Sequence, residues 1–460
     1  METRRGNVPR RESMHVTEID DDRFATHDGQ LTALVGVEPD RSVAEVRTAL
    51  PDDVAVLEGR QDDVLGYMTV VLPTTDVDVA DEMNSNIAGV DGVAYVEHNP
   101  VYDHPYIGDR LSGRDAPASG MSEFERSVRR DFSDTAHGVR RFIERLFGDD
   151  AETGDPRLSD QYAPEQVGAL RAQSLLPDDP EYTPTLAVID TGVDYTHPDL
   201  REQFGEYKGR DFGTGDGNPA PDFGLVTDHG SHVAGIAGAT VGNGEGIAGI
   251  AGVSDTRLLS AKIFGGETTA LGAIVAEAIR WATDEGADVI NMSLGGGERT
   301  GLPSETVRRA VQYADDSGTL VVAATGNSGE SPVMYPAKHP EVVGVTATDE
   351  NGEVASFPNF GEDADITAPG RGVLSTVPPF KGISPIGLYY GRKSGTSMAS
   401  PAVCGVALLG ILAAEGDVTT DDLRNALART AEEIPDTPTE KQGAGIARAD
   451  RLVDDLLPEE

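Results

Sequence analysis

Five short apolar runs, at 185–189, 258–263, 288–293, 319–324 and 342–346, alternate with segments of helical pattern near 270–284 and 304–316. Runs of that length between turn residues read as strands buried on both faces. Strands that alternate with helices leave few arrangements: neighbouring strands run parallel, and the helices cover both faces of the sheet. The expected class is therefore α/β with a mainly parallel central sheet. Such sheets gather their reactive groups at one edge, beyond the carboxyl ends of the strands.

Three segments bring polar chemistry to element ends. Ala187-Val188-Ile189-Asp190-Thr191-Gly192 closes a strand on an acid. Asp228-His229-Gly230-Ser231-His232-Val233-Ala234-Gly235 opens a small-residue helical stretch, reaching Ala239, on a histidine. Ser394-Gly395-Thr396-Ser397-Met398-Ala399-Ser400-Pro401 pushes a serine onto a glycine turn just before the apolar stretch 398–413. A serine hydroxyl becomes a useful nucleophile only when an imidazole takes its proton and a carboxylate fixes the imidazole's tautomer. Asp190, His229 and Ser397 supply those three groups. Val322-Ala323-Ala324-Thr325-Gly326-Asn327 adds an amide on a turn after a buried strand, a donor for the oxyanion of acyl transfer.

Other readings of the same residues are weaker. The order Asp, His, Ser differs from that of the α/β-hydrolases, and Met398 and Ala399 break their Gly-x-Ser-x-Gly elbow. His229 and His232 are three apart, but without an intervening Glu or a nearby Cys they do not read as a zinc site. His232 reads as a structural histidine. Ser397 taken alone would pass for a helix cap.

On these four motifs, in this order, the chain resembles the subtilisin-type serine endopeptidases over roughly 155–452. The resemblance implies a three-layer sandwich around the parallel sheet, and peptide hydrolysis through an acyl-enzyme on Ser397 with Asp190, His229 and Asn327. It also implies an extended substrate laid against Asn291-Met292-Ser293-Leu294-Gly295-Gly296, read as an edge strand, with the pocket for the residue before the scissile bond walled by Ser293, Leu294, Gly295, Gly296 and Ala324 to Asn327. The pocket floor falls on Pro332-Val333-Met334-Tyr335-Pro336, where Met334 replaces a glycine common in the family. Met334 narrows the pocket toward small or slender apolar residues, or else is ordinary core filler. A structural Ca²⁺ site is implied at Asp155, Asp199 and the loop Thr240 to Ile247, with Asn243 the least secure ligand; the alternative is that these acids are part of an acidic surface.

Residues 31–100 change to short strands alternating with polar helices, a small α+β unit. It resembles the family's ferredoxin-like propeptide, which implies an inhibitor acting in cis and a zymogen. Residues 1–30 read as a polar tail, 101–154 as a linker, and 155–460 as the peptidase domain with no further C-terminal domain. Within the linker, Phe124, Val128, Phe132, Val139, Phe142, Ile143 and Leu146 form a helical apolar stripe among six arginines, and maturation cleavage is expected in this segment.

The chain carries 79 acidic and 37 basic side chains, only six of them Lys, for a net charge of -42 over 460 residues. Such a surface repels itself in dilute buffer, whereas molar salt shortens the Debye length to about 3 Å and screens it. A brine or high-salt interior is the expected setting, and nucleic acid and anionic membranes are disfavoured as partners. The single cysteine, Cys404, cannot form an internal disulfide and reads as a small buried hydrophobe. No segment reads as long enough to span a membrane, and no apolar core follows the arginine pairs at 4–5 and 10–11, so an export signal is not legible. A cytoplasmic monomer acting on polypeptides is favoured, with secretion the alternative if translation starts elsewhere. Two other functions remain open: an esterase or amidase using the same triad, and a permanently self-inhibited binding protein.

Overall fold

The computed structural model describes residues 26–27, 30–103, 154–177, 180–222, 228–253, 256–264, 269–295, 303–379 and 389–458. The polar tail before residue 26 and the amphipathic stripe at 122–147 lie outside the described residues.

The first unit is a sheet of antiparallel strands with two helices on one face. Its strands are β1 (Thr26–His27), β2 (Gln30–Val37), β3 (Ala55–Asp62), β4 (Tyr67–Val71) and β5 (Val93–His98), with helices α1 (Val43–Ala49) and α2 (Val77–Ala88). The long strands lie in the order β5-β2-β4-β3, and β1 adds to the start of β2. This β-α-β-β-α-β order is ferredoxin-like. Helix α1 starts on a capping box: Ser42 Oγ accepts from Glu45 N at 3.2 Å, and the Glu45 carboxylate accepts from Ser42 N at 2.9 Å. The pleat divides β2 in two. Leu31, Ala33, Val35 and Val37 pack in the unit's own core, while Leu34 joins Tyr67 in a second cluster shared with the rest of the molecule. β3 is not legible in the sequence because Glu58, Gly59 and Arg60 interrupt its alternation; it pairs only with β4, at the sheet edge.

The second unit is built on seven parallel strands. They are β7 (Thr185–Asp190), β8 (Gly209–Asp211), β9 (Arg257–Lys262), β11 (Val289–Met292), β12 (Leu320–Ala324), β13 (Val342–Thr348) and β14 (Ile366–Pro369), in the order β14-β13-β12-β11-β7-β9-β8. Alternate residues of β7 enter opposite cores. Leu186 and Val188 face one cluster and Ala187 and Ile189 the other. Helices α3 (Ala169–Leu175), α4 (His229–Gly238), α7 (Thr396–Ala413), α8 (Thr420–Thr430) and α9 (Ala449–Leu456) cover the first face. Helices α5 (Gly272–Asp284) and α6 (Glu305–Asp316) cover the second, giving three layers.

Three expectations need correction. Helix 270–284 begins at Gly272, because residues 269–271 form a strand, β10 (Thr269–Leu271), antiparallel to β6 (Val101–Asp103). The residues expected to start the linker therefore lie as a strand on the second unit, where Val101, Tyr102, Ala270 and Leu271 are all buried. Burying an aliphatic side chain of this size contributes about 1.5–3 kcal/mol, enough to hold a three-residue ladder in place. Next, β11 is no edge strand: β7 and β12 occupy both its sides, so Asn291 and Met292 cannot offer backbone to a substrate. Finally, α7 has the length and apolarity of a membrane span, but every one of its 18 residues is buried among the other layers. Its apolarity on all sides is that of a helix in the middle of a core.

The antiparallel sheet sits on α5 and α6. Glu97 at the end of β5 accepts from Ser304 Oγ at 2.8 Å, Glu305 N at 2.7 Å and Thr306 N at 3.0 Å, so a carboxylate of the first unit caps α6 of the second. Tyr67 donates to the Ala273 carbonyl at 3.1 Å, and Arg280 pairs with Asp62.

Candidate active site

Asp190 ends β7, His229 opens α4, and Ser397 is the second residue of α7; all three lie at the carboxyl edge of the sheet and are at most 2 % exposed. Both Asp190 oxygens are 2.9 Å from His229 Nδ1. A carboxylate there requires the proton on Nδ1, which leaves the Nε2 lone pair as the base. Asp190 Oδ1 also accepts from Thr191 N at 2.7 Å, and the Thr191 hydroxyl accepts from Gly230 N at 3.0 Å, so strand end and helix start are tied together. Burial, and after it the Lys393 ammonium, push the His229 imidazole down to about 3, with Asp228 opposing. His229 is thus held neutral at ordinary pH, the form a general base needs.

Ser397 owes its place to Gly395, which has φ 154° and ψ 159°, a conformation that side-chain-bearing residues avoid. Its Oγ is buried and makes no hydrogen bond among the described residues. Its carbonyl accepts from Ser293 Oγ at 2.8 Å. Asn291 Nδ2 donates to the same Ser293 hydroxyl at 3.0 Å, and Asn291 Oδ1 accepts from Ser400 Oγ at 2.8 Å. Ser293, expected as a pocket wall, and Asn291 therefore hold the first turn of α7. No local signal in the sequence announces that role.

Asn327 follows β12 by three residues. Its Oδ1 accepts from Thr396 N at 2.8 Å and Thr396 Oγ at 3.0 Å. Because both partners are donors there, the oxygen is committed and the NH₂ end is left as the donor. A methyl group on Gly395 would sit 3.4 Å from that Nδ2, which places it beside the turn carrying Ser397.

Met334 lies between the two expected pocket walls. A methyl on Gly326 would meet its sulfur at 2.7 Å, and one on Gly295 would meet its Cβ at 3.8 Å. Its N–H donates to the Thr325 carbonyl at 3.1 Å. Leu294, Gly295 and Ala324 are buried alongside, whereas Gly296 lies outside the described residues.

Asp155, Asp199 and Asn243 also come together. Asp155 accepts from Gly242 N at 2.9 Å with both oxygens; Asp199 accepts from Ile247 N at 2.9 Å and from Asn243 Nδ2 at 3.0 Å. Asn243 Oδ1 is taken up by Glu245 N at 2.8 Å, so Asn243 presents nitrogen, not oxygen, to the acids. Burial, with Asp199 adding its repulsion, pushes Asp155 up to about 6, and burial raises Asp199 as well. Two destabilised carboxylates facing a glycine loop suit a hard cation completed by loop carbonyls. His232 is a structural histidine by its contacts: fully buried, with Nε2 at 3.0 Å from the Gly391 carbonyl. Cys404 is buried, its thiol pushed up by desolvation.

Comparison with known proteins gives concordant results. A profile of the subtilase family matches residues 182–448. Halolysin of Haloferax mediterranei is 45% identical over 301 residues, 65% of this chain and 54% of that protein. The halolysin-like extracellular serine protease Nep of Natrialba magadii is 36% identical over 303 residues, 65% of this chain and 52% of that one. This chain thus spans only about half the length of either relative. The structure resembles that of fervidolysin from Fervidobacterium pennivorans, a keratinolytic enzyme related to subtilisin, with TM-score 0.72 and 25% identity over 98% of this chain and 64% of that one.

Proposed function

Since the chain belongs to the subtilase family, we propose that it is a serine endopeptidase that cleaves polypeptides through an acyl-enzyme on Ser397. The observation that carries this reading is the Asp190 carboxylate at 2.9 Å from His229 Nδ1, at the sheet edge where α7 presents Ser397. Ser397 Oγ attacks the peptide carbonyl as His229 Nε2 takes its proton, and Asp190 stabilises the imidazolium that results. Asn327 Nδ2 donates to the oxyanion. The imidazolium then protonates the leaving amine, and water, activated by the same base, releases the acyl group. Turnover of a peptide anilide beside the matching ester, in molar KCl, tests the assignment. Ester hydrolysis without peptide hydrolysis would make the protein an esterase instead.

Residues 30–103 act as an inhibitory propeptide in cis on this reading. Strand β6 occupies the open side of β10, the kind of edge an extended peptide would use. Maturation then requires cleavage within 104–154. The Natrialba relative is named extracellular, and that is the place of action we carry to this chain in preference to the cytoplasm.

Met334 is proposed to shorten the pocket for the residue before the cleaved bond, because its thioether lies against Gly326. Met334→Gly is expected to raise kcat/KM for Phe over Ala at that position, read from a peptide library. A wild-type profile already led by Phe and unchanged in the variant would refute the role.

Asp155 and Asp199, with loop carbonyls from 240–247, would hold Ca²⁺, which would brace the loop following α4. Asp155 has an ordinary value of 3.8 and stands near 6 in the folded chain, so its ionisation lowers stability as pH rises through that window. A bound cation reverses the effect once the carboxylate is ionised. Calcium is therefore expected to raise Tm by several degrees at pH 8 and much less at pH 5, at fixed salt, with a chelator abolishing the difference. Equal Tm with and without chelator at pH 8 would remove the site.

A further inference from the structure

Immediately before His229, Asp228 is paired with a lysine from a distant strand. Strands β15 (Val373–Thr376) and β16 (Tyr390–Lys393) form an antiparallel ribbon, and Lys393 ends it four residues before Ser397. Lys393 Nζ is 3.0 Å from both oxygens of Asp228. The two side chains are only 9% and 14% exposed, so salt screens the pair far less than a surface contact.

We propose that the Lys393–Asp228 pair is a positioning device for the catalytic base: it ties the ribbon that delivers Ser397 to the first turn of the helix that carries His229, and it balances the charge that the imidazolium meets. This inference rests on the serine-peptidase reading above.

Two physical arguments support it. The first is mechanical. Ser397 and His229 are more than 160 residues apart along the chain. Gly395 gives the turn before Ser397 its shape but also its freedom, and an ion pair between the residues flanking the two groups removes that freedom. The second is electrostatic. Lys393 opposes the charged form of His229, and Asp228, 3.0 Å from the ammonium, partly offsets it, so removing either partner changes the charge the imidazole faces.

Among the described residues, the remaining neighbours of His229 do not duplicate the pair. β7 brings Asp190, which is committed to Nδ1. β9 brings Lys262, engaged with Asp211 at 3.5 Å and Asp222 at 3.1 Å. β15 carries no titratable side chain, and α7 carries only the buried, protonated Cys404. On α4 itself, His232 is kept neutral by burial.

The sign of the effect follows. His229 must be neutral to act, so kcat/KM falls as pH drops through its pKa. Lys393→Met leaves Asp228 facing the imidazole, raises that pKa and moves the acid limb of the pH profile to higher pH. Asp228→Asn leaves Lys393 alone and moves the limb to lower pH. Each shift is expected to be on the order of one pH unit, and the double variant should return close to wild type. Lys393→Arg should retain the wild-type limb.

The experiment measures kcat/KM against pH for a peptide anilide, using the full chain in molar KCl. If Lys393→Met does not fold, Asp228→Asn and Lys393→Arg still give the comparison, and the His229 ring titration followed by NMR in chains carrying Ser397→Ala gives a second readout. Uniform loss of activity at every pH with an unmoved limb, or shifts of the same sign in both single variants, would overturn the proposal. Absence of Ser397-dependent hydrolysis in the wild-type chain would overturn the peptidase reading itself, and this inference with it.

Discussion

Ser397→Ala is expected to abolish peptide turnover and to leave the chain at full length in cells that shorten the wild type. Ser397 is the proposed nucleophile: it lies in the first turn of α7 at the carboxyl edge of the sheet, where His229 opens α4, and its buried Oγ makes no hydrogen bond among the described residues. For the subtilisin family the loss on removing this serine is already known to be on the order of a millionfold in kcat, so the magnitude is the family's and not a derivation from this geometry. Folding should survive, because the side chain makes no hydrogen bond among the described residues and does not cap α7, and Ala is a better helix former than Ser. The gel separates three outcomes. Full-length variant beside a shortened wild type marks a self-processing zymogen. Full-length protein in both marks a permanently capped, non-enzymatic chain. Equal shortening of both marks cleavage by another protease.

The second large effect is expected at Asn327. Asn327→Leu keeps the approximate shape of the side chain and removes the donor, and should lower kcat by about a hundred- to a thousandfold with KM little changed; that range too is the one known for this family's oxyanion asparagine. Thr396 complicates the reading, because its N–H and hydroxyl both donate to Asn327 Oδ1. Leu orphans the N–H at a cost of about 1–3 kcal/mol, while the hydroxyl keeps the Gly326 carbonyl at 3.3 Å. Asn327→Asp is the control: it retains the acceptor for Thr396, loses the donor, and places a negative charge where the oxyanion forms. Tm close to wild type with kcat reduced at least as far as in the Leu variant assigns the loss to the transition state. Full kcat in Asn327→Asp would remove Asn327 from the mechanism.

Both experiments turn on residues that are legible in the linear chain. Asp190, His229, Asn327 and Ser397 stand beside glycines at the ends of strands and helices, and those boundaries are marked locally by short apolar runs, glycine turns and a long apolar stretch. That the strands run parallel follows from the same alternation. The calcium reading is legible to a lesser degree. Asp155 and Asp199 both bond the 240–247 loop, but whether Asn243 offers oxygen or nitrogen is decided by the turn its own amide makes with Glu245.

What a linear reading could not reach depends on contacts between distant segments. Asn291 and Ser293 look like the end of an edge strand, yet β11 is flanked on both sides and their side chains brace the turn of Ser397 from 104 or more residues away. Thr269 to Leu271 continue a helical pattern, yet they extend because Val101 to Asp103 supply a ladder partner and a buried apolar face.

The parallel α/β class, the candidate set Asp190, His229, Asn327 and Ser397, and the acidic composition that calls for screened charge are all written in local pattern or in composition. Packing across the fold is what lays β6 on β10, caps α6 with Glu97, and sets Lys393 against Asp228 next to His229. The reason for the division is physical: a strand edge, a helix terminus or a half-buried charge accepts any partner of the right chemistry, and only the folded chain brings one of them within reach.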